Sequence, residues 1–404
     1  MQVSLKSNIW KLYFIKAFRW FLLIMPVIVL FFQENGLSML QVFLLQSIFS
    51  IVIVISEVPS GYLADIIGRR LSIIIGCILA TAGVAAYSLS YSFWGFLFAE
   101  VLLGLSASFI SGADSALIYD SLVEMECIGA YKKIEGRLTS IGNFSEGIAS
   151  LVGGLLALIS LRTPLYFEAA ITFLSIPVAF SLIEPERHKL DNSEGNLKSI
   201  LRIVKYSLHD HAEIKWLIMY SAMIGVSILT MVWFVQPYLK LVGLPLALFG
   251  IVWAGLQFSV GIFSFYAHRI ELFVGRKRTL ISLVILTAIC FFLLSVFQSL
   301  WSIIFIVILY FLRGISYPVL KDYINRIITS DIRATVLSVS SLVRRLFFSI
   351  FGPVIGWASD LYSLSTALML CGIIFLFWGG ISLILLHRCN ALEPIDEREA
   401  GSAL

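Results

Sequence analysis

The sequence has few charged residues: Asp, Glu, Lys and Arg together account for only 13% of its 404 residues. Hydrophobic residues make up 59%, which lies outside the range of a soluble domain. The formal net charge of +4 is too small to indicate a nucleic-acid partner. These shortages argue against a soluble protein and against nucleic-acid binding. They predict an integral membrane protein that sits in a lipid bilayer.

Residues that carry catalysis or bind metals are also scarce. The five histidines lie in the central polar segment or near the ends of apolar runs, and none is paired with a carboxylate at ligand spacing within such a run. No nucleophile motif or phosphate-binding loop is found in the sequence. The five cysteines show no paired spacing, which predicts free thiols. We therefore expect neither an enzyme nor a metal or cofactor site.

Long apolar runs dominate the rest of the sequence. A helix of about 20 apolar residues crosses a bilayer, and twelve runs reach that length. In the first half they are Leu12–Phe32, Gln41–Ala64, Leu71–Ser90, Trp94–Asp120, Gly136–Ile159 and Pro164–Ile183. In the second half they are Ile214–Leu239, Leu246–His268, Thr279–Phe297, Leu300–Lys321, Ala334–Ala358 and Leu364–His387. They predict an all-α membrane protein with twelve transmembrane helices in two six-helix, pseudo-symmetric bundles.

The predicted domain boundaries follow from these spans. Residues 1–183 form an N-terminal bundle, residues 184–213 a cytoplasmic linker, residues 214–388 a C-terminal bundle and residues 389–404 a cytoplasmic tail. The first apolar run is as long as a span and lacks a small-residue cleavage site after it, so we expect it to remain in the protein.

The loops between spans differ in charge. Basic residues concentrate in the even-numbered loops, as Arg69 and Arg70, Lys132 and Lys133, and Arg276 to Arg278. The odd-numbered loops contain almost none, with Arg162 as an exception. Because positive charge is retained on the cytoplasmic side, both termini and the central linker are predicted to be cytoplasmic.

One polar stretch, residues 61–70, joins the second and third spans. Its order, Gly-x-Leu-Ala-Asp-x-x-Gly-Arg-Arg, requires a tight turn at a membrane face and resembles the signature loop of the major facilitator superfamily. The resemblance implies a small-molecule transporter whose loop helps to latch the two halves in one state. That latch would consist of Gly61, Asp65, Gly68, Arg69, Arg70 and Asp120. The family usually has a basic residue where this chain has Ile66.

Further segments match one bacterial branch of the superfamily. They are Glu57-Val58-Pro59-Ser60 and the run from Ser111 to Asp120. The resemblance implies a multi-pass protein of the bacterial cytoplasmic (inner) membrane, and we expect a monomer. A partial internal repeat supports the six-plus-six plan, because Gly275-Arg276-Lys277 follows the eighth span as Gly68-Arg69-Arg70 follows the second.

Ionisable residues within spans are candidate functional groups, because they are costly there unless paired or hydrated. Arg19 and Asp114 lie at similar depth and could form a pair. Glu100 precedes Asp114 by fourteen residues, which places both on one face of a continuous helix. The candidate substrate and proton path comprises Arg19, Glu100, Asp114, Glu146, Trp253, Gln257, Arg313, Arg344 and Arg345. Structural salt bridges and a proton path both remain open as explanations.

Three functions fit the sequence. The first is a proton-coupled exporter of a small amphipathic or anionic compound, and the second is an importer or facilitator of a metabolite. The third is a membrane receptor or assembly factor that does not transport. Two departures weaken the resemblance to drug exporters of the superfamily: Glu100 stands where they carry an arginine, and Ala149-Ser150 precede Gly153-Gly154 where they carry Gly-Pro.

Overall fold

The computed structural model describes residues 2–185, 206–328 and 332–389, and the regular elements within these ranges are all helical. Helices suit a bilayer because each satisfies its backbone hydrogen bonds within itself. The predicted all-α membrane fold is confirmed. Most of the predicted central linker and almost all of the predicted tail lie outside the described residues.

Helices of the first half follow the six predicted spans. They are Gln2–Arg19, Ile28–Glu34, Met39–Ile67, Arg69–Leu89, Phe93–Ile110, Ala113–Glu124, Tyr131–Leu156, Thr163–Phe173 and Ser175–Phe180. The second half contains Ala212–Leu241, Phe249–Val274, Arg276–Val296, Ile303–Ile327, Arg333–Leu361 and Leu364–Arg388. Short helical turns occur at Ile128–Ala130, Tyr206–Asp210, Leu246–Leu248 and Leu300–Ser302.

Ten of the described helical stretches are long and apolar enough to cross a membrane. The other two predicted spans are the first and the fifth. The first is divided into two helices by the non-helical segment 20–27. The fifth, Tyr131–Leu156, is long enough but carries Asn143, Glu146 and several serines. A span this polar requires partners inside the protein.

Three spans are divided where the sequence predicted continuous helices: the sixth only at Leu174, which keeps a helical backbone, and the first and fourth more strongly. In the first span Pro26 lies within the break, and a proline removes a backbone donor and collides with the preceding turn. The fourth span ends one helix at Ile110 and starts the next at Ala113. Gly112 between them has φ = 83°, which a glycine adopts readily and other residues rarely do.

Arg162 ties three odd-numbered loops of the first half together. Its Nη1 donates to the carbonyl oxygens of Ser88 at 2.8 Å and Ser90 at 2.7 Å, and its Nη2 donates to Oδ1 of Asn35 at 2.7 Å. The guanidinium also lies 3.8 Å from the ring centroid of Tyr91. The exception to the loop charge pattern is therefore a buried structural residue.

The chain divides into two compact units, and each has its own apolar core. The first contains the described residues 2–185 together with Leu244–Gln257, and the second contains the remaining described residues. Buried residues such as Leu12, Ile73 and Leu117 form a core in the first unit. In the second unit, Leu217, Leu283 and Ile315 belong to the corresponding core. The first half of the eighth span thus groups with the first unit, whereas the sequence-based boundary at 214 placed it in the C-terminal bundle.

Candidate functional site

The loop between the second and third spans is a one-residue turn. Helix Met39–Ile67 ends at Gly68 and helix Arg69–Leu89 begins directly after it. Gly68 has φ = 113°, so the predicted need for glycine at this position has a structural reason. Gly61 lies inside the preceding helix, and a Cβ there would meet no atom within 4 Å. Only one of the two loop glycines is thus required by the backbone.

Three charged residues of the predicted latch lie together in the first unit. The guanidinium of Arg69 donates to Oδ1 of Asp65, one helical turn earlier, across the glycine turn. Nε of Arg69 lies 3.9 Å from Oδ2 of Asp120 at the end of the fourth span. Arg69 therefore bridges two carboxylates from different spans.

Glu184 was missed by sequence reasoning because it falls at the predicted start of the linker. Its two carboxylate oxygens accept from the backbone N–H groups of Arg69 at 2.8 Å and Arg70 at 2.7 Å. These are unpaired donors at a helix N-terminus, where a negative charge is favourable. Arg70 donates to the carbonyl oxygen of Phe180 at 2.6 Å. Glu184 and Arg70 thus fasten the end of the sixth span to the loop.

A second charged group lies inside the first unit. Asp114 is in electrostatic range of Lys16 and Arg19 from the first span and of Glu135 from the fifth. Lys16 also lies 4.3 Å from the ring centroid of Trp20. These four ionisable residues, Lys16, Arg19, Asp114 and Glu135, are called the interior cluster below. They combine two cations with two carboxylates.

The predicted direct pair between Arg19 and Asp114 is not formed in this structure. Nη2 of Arg19 donates to Oγ of Ser106 at 3.1 Å, and that hydroxyl donates to the carbonyl oxygen of Gly76 at 2.6 Å. Oδ1 of Asp114 instead accepts from the N–H of Ser115 at 2.8 Å. The carboxylate is held at the start of its own helix, because the fourth span restarts at Ala113.

Glu100 does not share a face with Asp114, because the interruption at Gly112 breaks the helical phase assumed between them. Glu100 is buried, and Oε1 accepts from the hydroxyl of Tyr87 at 2.5 Å and from the side-chain amide of Gln46. It therefore joins the second, third and fourth spans. Phe32 and Phe96 pack against the ring of Tyr87 beside it.

Glu146 is brought together with Trp253 and Gln257, as three residues of the first unit. Its Oε1 accepts from the side-chain amide of Gln257 and lies 3.4 Å from the indole nitrogen of Trp253. The sequence predicted both Trp253 and Gln257 as members of the candidate path, and here both donate to the same carboxylate oxygen. Glu146 is only 5% exposed, so few other hydrogen-bond donors have access to its carboxylate.

Glu168 in the sixth span is a second residue that sequence reasoning missed. Its Oε2 accepts from the backbone N–H of Ile24 at 3.0 Å, and the N–H of Leu23 also donates to this carboxylate. Both donors belong to the non-helical segment 20–27 of the first span. Gly153 of the fifth span packs against the same segment, since a Cβ there would lie 1.9 Å from the carbonyl oxygen of Leu23.

The second unit contains the remaining predicted charges. Arg344 lines an open cavity, and Arg313 lies close enough to influence it electrostatically. Arg313 also lies 5.5 Å from the ring centroid of Tyr310. Arg345 follows Arg344 on the helix and is not among the residues that line the cavity. Within the described residues, no group of three or more His, Cys, Asp or Glu side chains is arranged to hold a metal ion.

These features can be compared with known proteins. A sequence model of the Major Facilitator Superfamily matches residues 9–346, which covers most of the chain. The chain belongs to this superfamily. The one-residue glycine turn and the Asp65, Arg69 and Asp120 contacts are thus features of a superfamily member.

Curated relatives match part of the chain. An uncharacterized MFS-type transporter of Methanocaldococcus jannaschii is 21% identical over 184 residues, which is 45% of this chain and 47% of that protein. The quinolone resistance protein NorA of Staphylococcus aureus is 27% identical over 161 residues, which is 40% of each chain. The match therefore spans less than half the length of these superfamily members.

Solved structures match along almost the whole chain. The nucleoside transporter NupG has a TM-score of 0.76 at 14% identity, and the match covers 96% of this chain and 98% of that one. A D-xylose-proton symporter has a TM-score of 0.70 at 14% identity, with 97% and 98% covered. At these identities the likeness shows the superfamily fold alone.

Proposed function

We propose that the protein is a secondary transporter that works by alternating access and exports a small amphipathic or anionic compound in exchange for protons. The observation that carries this proposal is the interior cluster, in which Asp114 lies near Lys16 and Arg19 within the membrane spans. Charges at this depth are rarely retained for folding alone. Superfamily membership supplies the transport mechanism, and the relative named as a quinolone resistance protein favours export.

Asp114 is the proposed proton carrier. Among the described residues its carboxylate accepts a hydrogen bond from a backbone N–H, and no Lys or Arg nitrogen forms an ion pair with it. Adding or removing a proton there changes the net charge of the cluster without breaking a salt bridge. Such a change in charge can shift the equilibrium between two conformations of the protein. Glu100 and Glu146 are the next candidates, although both accept hydrogen bonds from neutral donors.

The proposed latch acts on the equilibrium between transport states. Asp65, Arg69 and Asp120 are partly exposed at the end of the first unit. Exposed ion pairs contribute little to folding stability. These ion pairs are therefore better suited to a contact that forms and breaks between transport states than to stabilising the fold.

The test begins with a compound panel. Growth of a strain that expresses the protein is compared with growth of a strain that lacks it. Transport of a compound to which expression confers resistance is then measured in vesicles. Asp114→Asn should abolish accumulation against a gradient and retain downhill exchange, because the carboxyl that follows the proton gradient is gone. Retained uphill transport in Asp114→Asn, with loss in Glu100→Gln or Glu146→Gln, would assign the proton to another carboxylate.

An importer or facilitator is the second candidate. The structural neighbours named as a nucleoside transporter and a D-xylose-proton symporter favour it. The same vesicles distinguish the two, since a symporter accumulates its substrate together with protons and an exporter accumulates it in exchange for them.

A further inference from the structure

The second unit contains an open cavity of about 140 Å³ between the seventh, tenth and eleventh spans. Two cations and four hydroxyl groups line it. The polar lining consists of Ser221, Tyr317, Lys321, Ser340, Ser341 and Arg344. No carboxylate is among the lining residues. The cavity therefore presents hydrogen-bond donors and positive charge.

The two cations of the cavity have no acidic partner among the described residues. Neither Lys321 nor Arg344 forms an ion pair or a side-chain hydrogen bond there. Asp322, next to Lys321 in sequence, is engaged by Nε of Arg326 at 2.7 Å. Arg313 adds a third positive charge in electrostatic range of Arg344. Arg344 lies well inside the eleventh span, where an unpaired cation is costly, so its compensation must come from another source, whereas Lys321 is exposed at the end of the tenth span.

The position of Arg344 is set by a glycine on the facing helix. A Cβ at Gly225 in the seventh span would lie 2.5 Å from Cδ and 3.2 Å from Cγ of Arg344. The arginine stem thus packs directly on the glycine backbone. This contact limits the rotamers of Arg344 and places its guanidinium in the cavity before any ligand arrives.

We propose that this cavity binds a carboxylate or phosphate group. The guanidinium forms two parallel hydrogen bonds to such a group, and the lysine adds a mobile point charge. Hydroxyl groups of the serines and Tyr317 complete the donor set. This assignment rests on the proposed function in one respect, because it identifies the bound group as part of the transported compound. A phospholipid headgroup would offer the same chemistry and is distinguished by the test.

The test uses the purified full chain and three ligands of nearly equal shape. Benzoate is anionic, benzamide neutral and benzamidine cationic, and inorganic phosphate serves as a fourth probe. Binding is measured by titration calorimetry and by the rise in Tm. We expect benzoate or phosphate to bind and both uncharged and cationic analogues to bind at least tenfold more weakly.

Variants then locate the site. Arg344→Gln and Lys321→Gln should each weaken anion binding roughly ten- to hundredfold, which is the usual worth of a hydrogen bond to a charged group. Gly225→Ala should weaken it as well, although it removes no charge. Lys240→Gln is the matched control, because Lys240 is an exposed basic residue of the same unit outside the cavity. It should bind as the parent does.

A measurement without ligand keeps the proposal falsifiable. If the positive charge of Arg344 is neutralised only by a bound anion, Arg344→Gln should raise the Tm of the protein without ligand, because it removes an uncompensated charge. A lowered Tm together with unchanged anion binding would overturn the proposal. So would binding of benzamidine in preference to benzoate, or stabilisation only in nanodiscs that contain phosphatidylglycerol. Because binding is measured without a gradient, a protein that binds the anion but transports nothing would refute the proposed function alone.

Discussion

At the scale of single residues, three carboxylates in the spans of the first unit differ in what they contact. Glu100 accepts from the side chains of Tyr87 and Gln46, which come from neighbouring spans. Glu168 accepts from backbone N–H groups of a segment that has lost its helical hydrogen bonds. Asp114 is surrounded by charged residues. The same carboxylate group thus serves in helix packing, in hydrogen bonding to free backbone N–H groups and in a charged cluster, and its contacts determine which.

Glu168→Leu should destabilise the protein, whereas Glu168→Gln should be tolerated. Leucine leaves the N–H of Ile24 without an acceptor, at a cost of about 1–3 kcal/mol, while glutamine keeps an acceptor oxygen. The N–H of Leu23 still donates to the carbonyl oxygen of Phe21 at 3.1 Å in either variant. Thermal unfolding of the purified variants in detergent measures the difference. Equal losses in both variants would show that the negative charge is what matters, and a stable leucine variant would contradict the assigned contact.

The sequence predicted some of these residues and not others. Asp65, Arg69 and Asp120 carry a signal because they stand in an ordered polar pattern that interrupts apolar runs. Glu184 lies at the edge of a polar segment, where one more carboxylate gives no signal. Glu168 has no charged neighbour in sequence, and its partners are backbone groups freed by a distant break. Such a contact depends on tertiary structure, which a single sequence does not display.

At the scale of elements, interruptions of spans determine where the charges point. The turn at Ser111 and Gly112 resets the helical phase, so a fourteen-residue spacing no longer places Glu100 and Asp114 on one face. Hydropathy did not reveal the break in the first span, because apolar side chains continue through residues 20–27. The break in the fourth span is only two residues long, Ser111 and Gly112, within an apolar run. Pro26 was an available signal for the first span, and Gly112 next to Ser111 was one for the fourth. Span positions were therefore predictable from apolar length, while their continuity required local backbone rules.

Substitutions at Gly112 and Gly61 distinguish the effect of backbone conformation from that of available space, because the space around the two glycines is equal. A Cβ at Gly112 or at Gly61 would meet no atom within 4 Å, but Gly112 has φ = 83° and Gly61 lies in a helix. Gly112→Ala should lower the free energy of unfolding by about 1 kcal/mol. Gly61→Ala should leave it unchanged or raise it by up to about 1 kcal/mol. Thermal unfolding of both variants under one condition makes the comparison, and equal effects would contradict the role given to the turn at Gly112.

At the scale of the whole molecule, the distribution of basic residues in the loops predicts the orientation in the membrane. Arg162 and Lys240 are the discordant residues, and the structure accounts for Arg162 through its hydrogen bonds to Asn35, Ser88 and Ser90. A buried side chain that is hydrogen-bonded to carbonyl groups gives no information about which side of the membrane is cytoplasmic. With Arg162 set aside, every remaining basic loop residue except Lys240 supports cytoplasmic termini.

The orientation can be tested with one native cysteine and one introduced cysteine. Cys127 is exposed between the fourth and fifth spans, and Cys77, Cys290 and Cys371 are buried, so replacing Cys389 leaves Cys127 as the reactive thiol. An impermeant maleimide should label Cys127 in inverted vesicles and not in intact cells.

The second probe is Ser92→Cys in a chain that also lacks Cys127 and Cys389. Ser92 is exposed between the third and fourth spans and makes no side-chain cap, so the exchange of oxygen for sulfur disturbs no contact of the helix end. Intact cells should be labelled at this position, because the loop that contains it is predicted to face outward. Labelling of Cys127 from outside, together with labelling of position 92 only in inverted vesicles, would reverse the orientation. That outcome would also move the cavity of Lys321 and Arg344, which lies near the start of the seventh span, to the opposite membrane face.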